Sequence, residues 1–388
     1  MICFFWCSIF LLFHTYFFYP LILRFLYRKQ AKQVYEEYTH KEELPFVSVL
    51  LPVYNEAEVL LKKFNSLVQT SYPKERIEIL VGSDASTDAT NEMLQDWSSK
   101  YSFIHIRLMS KRIGKTGVIN ELAKYAKGDI FVFTDANVFF RRSSLFSIIK
   151  KMKDASVGLV GGNIVHYNLK KEGISLQEKH YTTHENIMKY REGELWGAMM
   201  GAFGGFFAVK KKYFSFLPQH TIVDDFFISM KVIEQHKKAI FCFDAFAHED
   251  VSNEGYEEFR RKKRIAVGNF QNLGWFKHLL WSNRKGVVFS FLSHKVLRWF
   301  GPLALLLLFV SNVYVREVNL FYSIAYYGQL IFYFIPVLEY LCRKLNIHFF
   351  GFRFVTHFVT MNIALFVGMF SYLFVKKSQV WKPTKRFQ

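Results

Sequence analysis

Phe46-Val47-Ser48-Val49-Leu50-Leu51-Pro52-Val53-Tyr54-Asn55-Glu56 is an apolar, β-branched run that stops at a tyrosine, an amide and an acid. Runs of the same kind recur at Ile77 to Gly82, Phe103 to Met109 and Asp129 to Thr134. Segments of helical period lie between them, near Glu56 to Gln69, Asp88 to Lys100 and Thr116 to Lys127. This alternation predicts an α/β unit with a largely parallel sheet. The strands are nearly continuous in apolar residues, as required when helices cover both faces. Ligands of such sheets gather outside the carboxyl ends of the strands, so the chemistry is expected in the residues that follow each run.

Outside this unit the chain is strongly apolar. Four stretches carry no Asp, Glu, Lys or Arg: Met1 to Leu23, Trp299 to Val315, Val318 to Leu338 and Phe354 to Val375. Each approaches or exceeds the roughly 20 residues that a helix needs to cross the hydrocarbon core. The first has no basic residue ahead of it and no small-residue cleavage pattern after it, which predicts an uncleaved anchor. Arg24, Arg28, Lys29 and Lys32 follow, and positive flanks stay on the cytoplasmic side. The expected organisation is an anchor over residues 1–27, a cytoplasmic domain over 28–286, interfacial and transmembrane helices over 287–375 and a basic tail over 376–388. That describes a multi-pass protein of the inner (plasma) membrane. Val296 to Val315 follows Lys295 and contains Arg298, Trp299 and Pro302, so it is expected to lie partly along the interface. The tail, with five basic residues and no acid from Lys376 onward, is then expected in the cytoplasm.

The net charge of +19 suits nucleic acid or an anionic membrane surface. With membrane segments present, the membrane explains it and no nucleic-acid partner is expected. Four scattered cysteines, Cys3, Cys7, Cys242 and Cys342, offer neither metal-ligand spacing nor a disulfide framework.

The residues after the strands are polar in the expected places. Tyr54 and Glu56 follow the first run, and Ser83-Asp84-Ala85-Ser86-Thr87-Asp88 follows the second, positions suited to hydrogen-bonding a nucleobase and ribose. Capping of the next helix is the competing role for Asp84, Ser86 and Thr87; it is the expectation for Ser86 or Thr87, and not for Asp84. Gly114-Lys115-Thr116 imitates the end of a P-loop, but Met109 stands where the other glycine belongs. Lys115, at a loop-to-helix junction, still suits a diphosphate. The fourth strand ends in Asp135-Ala136-Asn137, whose two oxygen-bearing side chains suit a divalent cation, though the pattern is also common in turns. Further on, Gly204 and Gly205 lie in a glycine-dense turn, and Asp224 and Asp225 form an acid pair among apolar residues. Burial raises a carboxyl toward general-base range, and Asp225 is expected to be that base. For Asp224, a place in a helix N-terminal turn is an equal alternative. Arg264, in a basic segment close before the later apolar stretches, suits a bidentate phosphate contact.

In this order the motifs resemble the family 2 glycosyltransferases, in particular the membrane-bound branch with hyaluronan, cellulose and poly-N-acetylglucosamine synthases. The resemblance runs over nearly the whole chain. It implies a GT-A domain, a nucleotide-sugar donor (a UDP sugar by the family's default), manganese or magnesium, and inversion at the sugar's anomeric carbon. It implies that Tyr54, Glu56 and Asp84 hold base and ribose, that Lys115 and Arg264 hold the diphosphate, and that Asp135 and Asn137 match the metal-binding Asp-x-Asp. Asp225 matches the catalytic base, with Asp224 where Glu is commoner. Arg261 to Ile265 stands in place of Gln-x-x-Arg-Trp, so Arg261 falls at an acceptor-binding position. Trp381 to Arg386 resembles the Trp-Gly-Thr-Arg segment that folds toward the nucleotide. The acceptor implied is a lipid-linked or other glycan hydroxyl near the membrane. Two other readings stand beside transfer of one or a few sugars: a processive polysaccharide synthase, and a catalytically silent membrane scaffold. The scaffold needs none of Asp84, Lys115, Asp135 and Asp225.

Overall fold

The computed structural model describes residues 1–39, 43–167, 175–250, 255–345, 347 and 349–374. In chain order these form helix α1 (Ile2–Lys29), strand β1 (Val47–Val53), helix α2 (Ala57–Val68), strand β2 (Ile77–Ser83), helix α3 (Thr90–Lys100), strand β3 (Ile104–Leu108), helix α4 (Gly114–Tyr125) and strands β4 (Ile130–Thr134) and β5 (Val138–Phe140). Helix α5 (Ser144–Lys150), strand β6 (Val157–Tyr167), helix α6 (Ser175–Trp196), strand β7 (Phe206–Lys210), helix α7 (Asp224–Glu234) and strand β8 (Lys238–Asp250) follow. The last four helices after α8 (Gly255–Phe276) are α9 (Lys285–Trp299), α10 (Gly301–Val315), α11 (Leu320–Lys344) and α12 (Phe350–Phe374).

The described residues fall into two compact units, one of residues 26–39, 43–167 and 179–250, the other of 1–25, 175–178 and 255–374 without 346 and 348. The first holds a sheet of eight strands in the order β3-β2-β1-β4-β7-β6-β8-β5. The four strands read from sequence, β3, β2, β1 and β4, run parallel. Beyond β4 the sheet is mixed, because β7 is antiparallel to both β4 and β6 while β6 and β8 are parallel. The expectation of a largely parallel sheet therefore holds for half of it. It missed the other half because β6 to β8 are separated by glycines and long helices rather than by a regular repeat.

Every residue of β1 and β2 is buried, which follows from their unbroken apolar composition. Pairing of β1 with β4 stops at Leu50↔Phe133, two residues before Pro52, which has no N–H to donate. Chain order also reverses between β1 and β4, so a crevice is expected at their carboxyl ends. Helix α4 approaches the sheet closely at Gly82, where a Cβ would lie 2.3 Å from the Val118 Cγ1. The same helix begins at Gly114 with φ of +78°, a conformation that glycine adopts without strain.

In the second unit α8 packs along α12, close enough that a Cβ on Gly368 would lie 2.4 Å from the Ala266 Cβ. Buried charges there are paired: Lys262 Nζ is 3.3 Å from both Glu178 and Glu258, and His357 Nε2 is 3.3 Å from Glu178. Burial by itself would raise the Glu178 carboxyl, but Lys262, His357 and Arg261 outweigh it and hold it well below the usual range. Near the other end of the unit, Trp6 donates its indole N–H to the Tyr322 hydroxyl at 3.1 Å and stacks on Phe321.

Among the described residues, three helices are long and apolar enough to cross a membrane: α1, α11 and α12. Helices α9 and α10 pass the same test only as a pair, bent by 60° at Phe300. That break falls in the stretch expected along the interface, and it places Pro302 in the first turn of α10, where its missing N–H costs nothing.

Candidate active site

All side chains described next belong to the unit that holds the sheet. Asp84 directly follows β2, is fully buried, and accepts from the Arg112 Nε at 2.9 Å and from the backbone N–H groups of Ile113 at 2.7 Å and Gly114 at 3.2 Å. It thus folds the β3–α4 loop over the carboxyl end of the sheet. The Arg112 guanidinium lies 3.3 Å from the centroid of the Tyr54 ring, a cation held on an aromatic face. Arg112 was legible in sequence only as part of the basic cluster 111–115, and its place on Tyr54 makes it a candidate contact for a planar base.

Ser86 and Thr87 do not cap the following helix, contrary to expectation. The Asn55 backbone N–H donates to Ser86 Oγ at 3.1 Å, and the Thr87 N–H donates to Asn55 Oδ1 at 2.8 Å. Capping falls to Asp88, whose carboxylate accepts the N–H of Thr90 at 3.0 Å and that of Ala57 at 3.2 Å. One side chain therefore serves the starts of both α3 and α2, and the two loops after β1 and β2 are tied together. Asn55 and Ala85 both take the left-handed backbone conformation, at φ of 51° and 54°. Glu56 is half-buried at the start of α2.

Lys115 sits in the first turn of α4. Its ammonium is 3.0 Å from Asp135 Oδ1 and 3.3 Å from Asp224 Oδ2, so it joins the end of β4 to the start of α7. Burial alone would lower its pKa; Asp135 and Asp224 more than offset this and hold it above an ordinary lysine. Asp224 and Asp225 are the first two residues of α7, so the helix N-terminal alternative for Asp224 describes its position, while its oxygen faces Lys115. Asp225 is partly buried and its carboxyl is pushed up to about 6. Burial is the largest cause and the Asp224 charge adds to it, against Lys115, Lys189 and the Phe226 N–H, which donates to Asp225 Oδ1 at 2.7 Å. Lys189 on α6 lies 3.4 Å from the centroid of the Phe203 ring, in the turn that leads to Gly204 and Gly205. A Cβ on Gly204 would stand 3.0 Å from Asp225 Oδ2, and one on Gly205 would stand 2.5 Å from Val138 Cγ2.

The structure thus brings Lys115, Asp135, Asp224, Asp225 and Gly204 together. Tyr54, Asp84 and Arg112 form a second cluster at the same carboxyl edge. Asn137 is near Glu249, its Nδ2 donating to Glu249 Oε1 at 3.5 Å, a neighbour that sequence did not suggest because it comes from β8. Arg261 and Arg264 lie on α8 of the other unit, where Glu258 holds Arg261 at 3.2 Å. Trp381 and Arg386 lie outside the described residues.

Residues 48–217 match glycosyl transferase family 2. This segment is a family 2 glycosyltransferase domain. Glycosyltransferase AglE of Haloferax volcanii is 34% identical over 121 residues, 31% of this chain and 40% of that protein. The probable glycosyltransferase YdaM of Bacillus subtilis is 32% identical over 134 residues, 34% of this chain and 32% of that protein. The chain therefore spans well under half the length of these curated relatives. The mannosyltransferase PcManGT of Pyrobaculum calidifontis, solved with GDP-mannose and manganese, superposes with a TM-score of 0.70 at 20% identity, over 96% of this chain and 99% of that one. The shared fold is GT-A, with candidate membrane helices toward both ends of the chain.

A divalent cation fits the glycosyltransferase domain at Asp135 and Asn137 on the chemistry of the donors, which are hard oxygens at a strand end. Among the described residues no group of three or more His, Cys, Asp or Glu side chains is arranged to hold a metal. Such a pair suits an ion that takes its remaining ligands from a diphosphate and water, as magnesium-type sites do.

Proposed function

We propose that this protein transfers a sugar from a nucleoside-diphosphate sugar to the hydroxyl of a membrane-proximal acceptor, with inversion at the anomeric carbon. The observation that carries the reading is the Lys115 bridge between Asp135 and Asp224, next to an Asp225 carboxyl raised to about 6. Tyr54, Glu56 and Arg112 hold the nucleoside, the buried Asp84 acts there by fixing Arg112 and the start of α4, and Lys115 meets the diphosphate with the N-terminus of α4 behind it. Asp225 accepts the proton of the acceptor hydroxyl. The hydroxyl oxygen then bonds to the anomeric carbon on the face opposite the diphosphate, and the bond to the diphosphate oxygen breaks with its electron pair leaving on the nucleoside diphosphate. A cation held by Asp135 and Asn137 would serve as a Lewis acid for that leaving group. Gly204 leaves the Asp225 carboxylate without a side chain beside it, Gly205 lets the same turn pack against Val138, and Arg261, Arg264, Trp381 and Arg386 are assigned to acceptor or nucleotide contacts by their motif positions.

The domains are read as an anchor over 1–27, a cytoplasmic catalytic domain over 28–286, membrane helices over 287–375 and a tail over 376–388. A lipid-linked or other glycan acceptor is supported by the apolar helices α1, α11 and α12, which bring the chain to a membrane. The test is a screen of nucleotide sugars against the detergent-solubilised full chain, reading release of nucleoside diphosphate with manganese, with magnesium and with excess chelator. Release from one donor, abolished by chelator, is expected. Full turnover in chelator sinks the metal assignment, and no release from any donor sinks the transferase reading.

A further inference from the structure

Helix α2 turns Val59, Leu60, Phe64 and Leu67 toward the sheet, and on the same buried stripe stands Lys63, with no exposed surface at all. A lysine side chain withdrawn from water is disfavoured unless its polar end is hydrogen-bonded, so the groups it reaches are informative. Its Nζ donates to the Thr134 hydroxyl at 2.6 Å and to the Val138 carbonyl, and it lies 4.3 Å from the centroid of the Phe140 ring. Thr134 is the last residue of β4 and Val138 the first of β5. The two acceptors are therefore the two ends of the turn that carries Asp135 and Asn137. The Thr134 hydroxyl passes the contact on, donating to the Asp135 carbonyl at 3.4 Å. An apolar residue, which the stripe calls for, makes none of these bonds.

We propose that Lys63 is the positioning residue of the cation-binding turn: by holding both of its ends, it fixes the separation at which Asp135 and Asn137 present their oxygens to a divalent metal. The inference rests on the reading of that turn as a metal site. Partners behind a metal ligand commonly govern metal affinity by about 10- to 100-fold, and Lys63 acts at that remove.

The experiment titrates manganese(II) into the detergent-solubilised full chain in the presence of UDP and, separately, GDP, counting free manganese by electron paramagnetic resonance. Lys63→Met is expected to weaken manganese binding about tenfold or more, and Thr134→Val, which keeps the lysine and its bond to the Val138 carbonyl, to weaken it by a smaller factor. Phe64→Leu, on the same stripe but without a bond to the turn, is expected to lower the melting temperature and leave manganese affinity unchanged. Unchanged affinity in folded Lys63→Met overturns the proposal, and so does tighter binding, which would mean that only a repelling charge had been removed. If Lys63→Met does not fold, Thr134→Val decides, and unchanged affinity there overturns the proposal. An unsubstituted protein that binds no manganese with either nucleotide overturns the metal reading of the turn, and the inference falls with it.

Discussion

The side chains with most to say about chemistry are two acids that are adjacent in sequence and differ in surroundings. Asp224 faces the Lys115 ammonium at 3.3 Å, whereas Asp225 is raised to about 6 by burial and by Asp224. A carboxyl that titrates near neutrality can both take and release a proton at working pH. Its ionised form is the base, so transfer should be at its plateau above pH 6 and fall roughly tenfold per unit below it, as one required deprotonation dictates. The rate of transfer against pH checks this, and a flat profile down to pH 4 removes Asp225 from the role. Asp225→Asn should slow transfer by about 10²- to 10⁴-fold while leaving nucleoside-diphosphate affinity nearly intact, because the group acts on the acceptor. Lost affinity with an unchanged maximal rate would make Asp225 a binding residue.

Among elements, the loops after β1 and β2 behave as one body. Asp88 accepts N–H groups from the first turns of both α2 and α3, and Asn55 is bonded to Ser86 and Thr87. Loss of one N-cap typically costs about 1 kcal/mol, and Asp88 serves two helices from an exposed position. Asp88→Ala is therefore expected to cost about 1–2 kcal/mol, read as a lower thermal midpoint of the detergent-solubilised protein. Asp88→Asn, which keeps the acceptor oxygen, should recover most of it. Ser86→Ala should have a much smaller effect on helix stability, the reverse of what sequence suggests. A midpoint that falls more for Ser86→Ala than for Asp88→Ala would refute this account of the caps.

For the whole molecule, the proposed topology turns on which of the apolar helices cross a membrane. Helices α1, α11 and α12 each have the length, and α9 with α10 is bent by 60°. Helix α10 alone has 15 residues, about 22 Å at 1.5 Å per residue, short of the hydrocarbon thickness of about 30 Å. Three crossings put the basic tail on the same side as the segment that follows α1, which agrees with the retention of positive flanks in the cytoplasm. Gln388→Cys, in a version lacking Cys3, Cys7, Cys242 and Cys342, is expected to resist an impermeant thiol reagent in intact cells and to react after permeabilisation. Labelling in intact cells would put the tail outside, make α9 and α10 one full crossing, and take Trp381 and Arg386 away from a cytoplasmic active site.

The sequence by itself determined the parallel half of the sheet, the apolar segments and the order of the polar residues at the strand ends. These are properties of short windows: a buried parallel strand must be apolar along its length, and a membrane helix must lack charge for about 20 residues. It also singled out Asp84, Lys115, Asp135 and Asp225, since polar side chains where apolar runs stop stand out locally. Only the tertiary structure decided which of these meet. Lys115 joins Asp135 to Asp224 because α4, β4 and α7 converge, and no local pattern encodes that distance. Arg112 on Tyr54 and Glu249 near Asn137 depend on loops and strands far apart in the chain. Lys63 had one local signal, a lysine on an apolar helical stripe, but periodicity alone treats such a residue as an interruption. Its partners flank the turn between β4 and β5, 71 and 75 residues further along the chain, and only folding brings a buried donor to acceptors so far away in sequence.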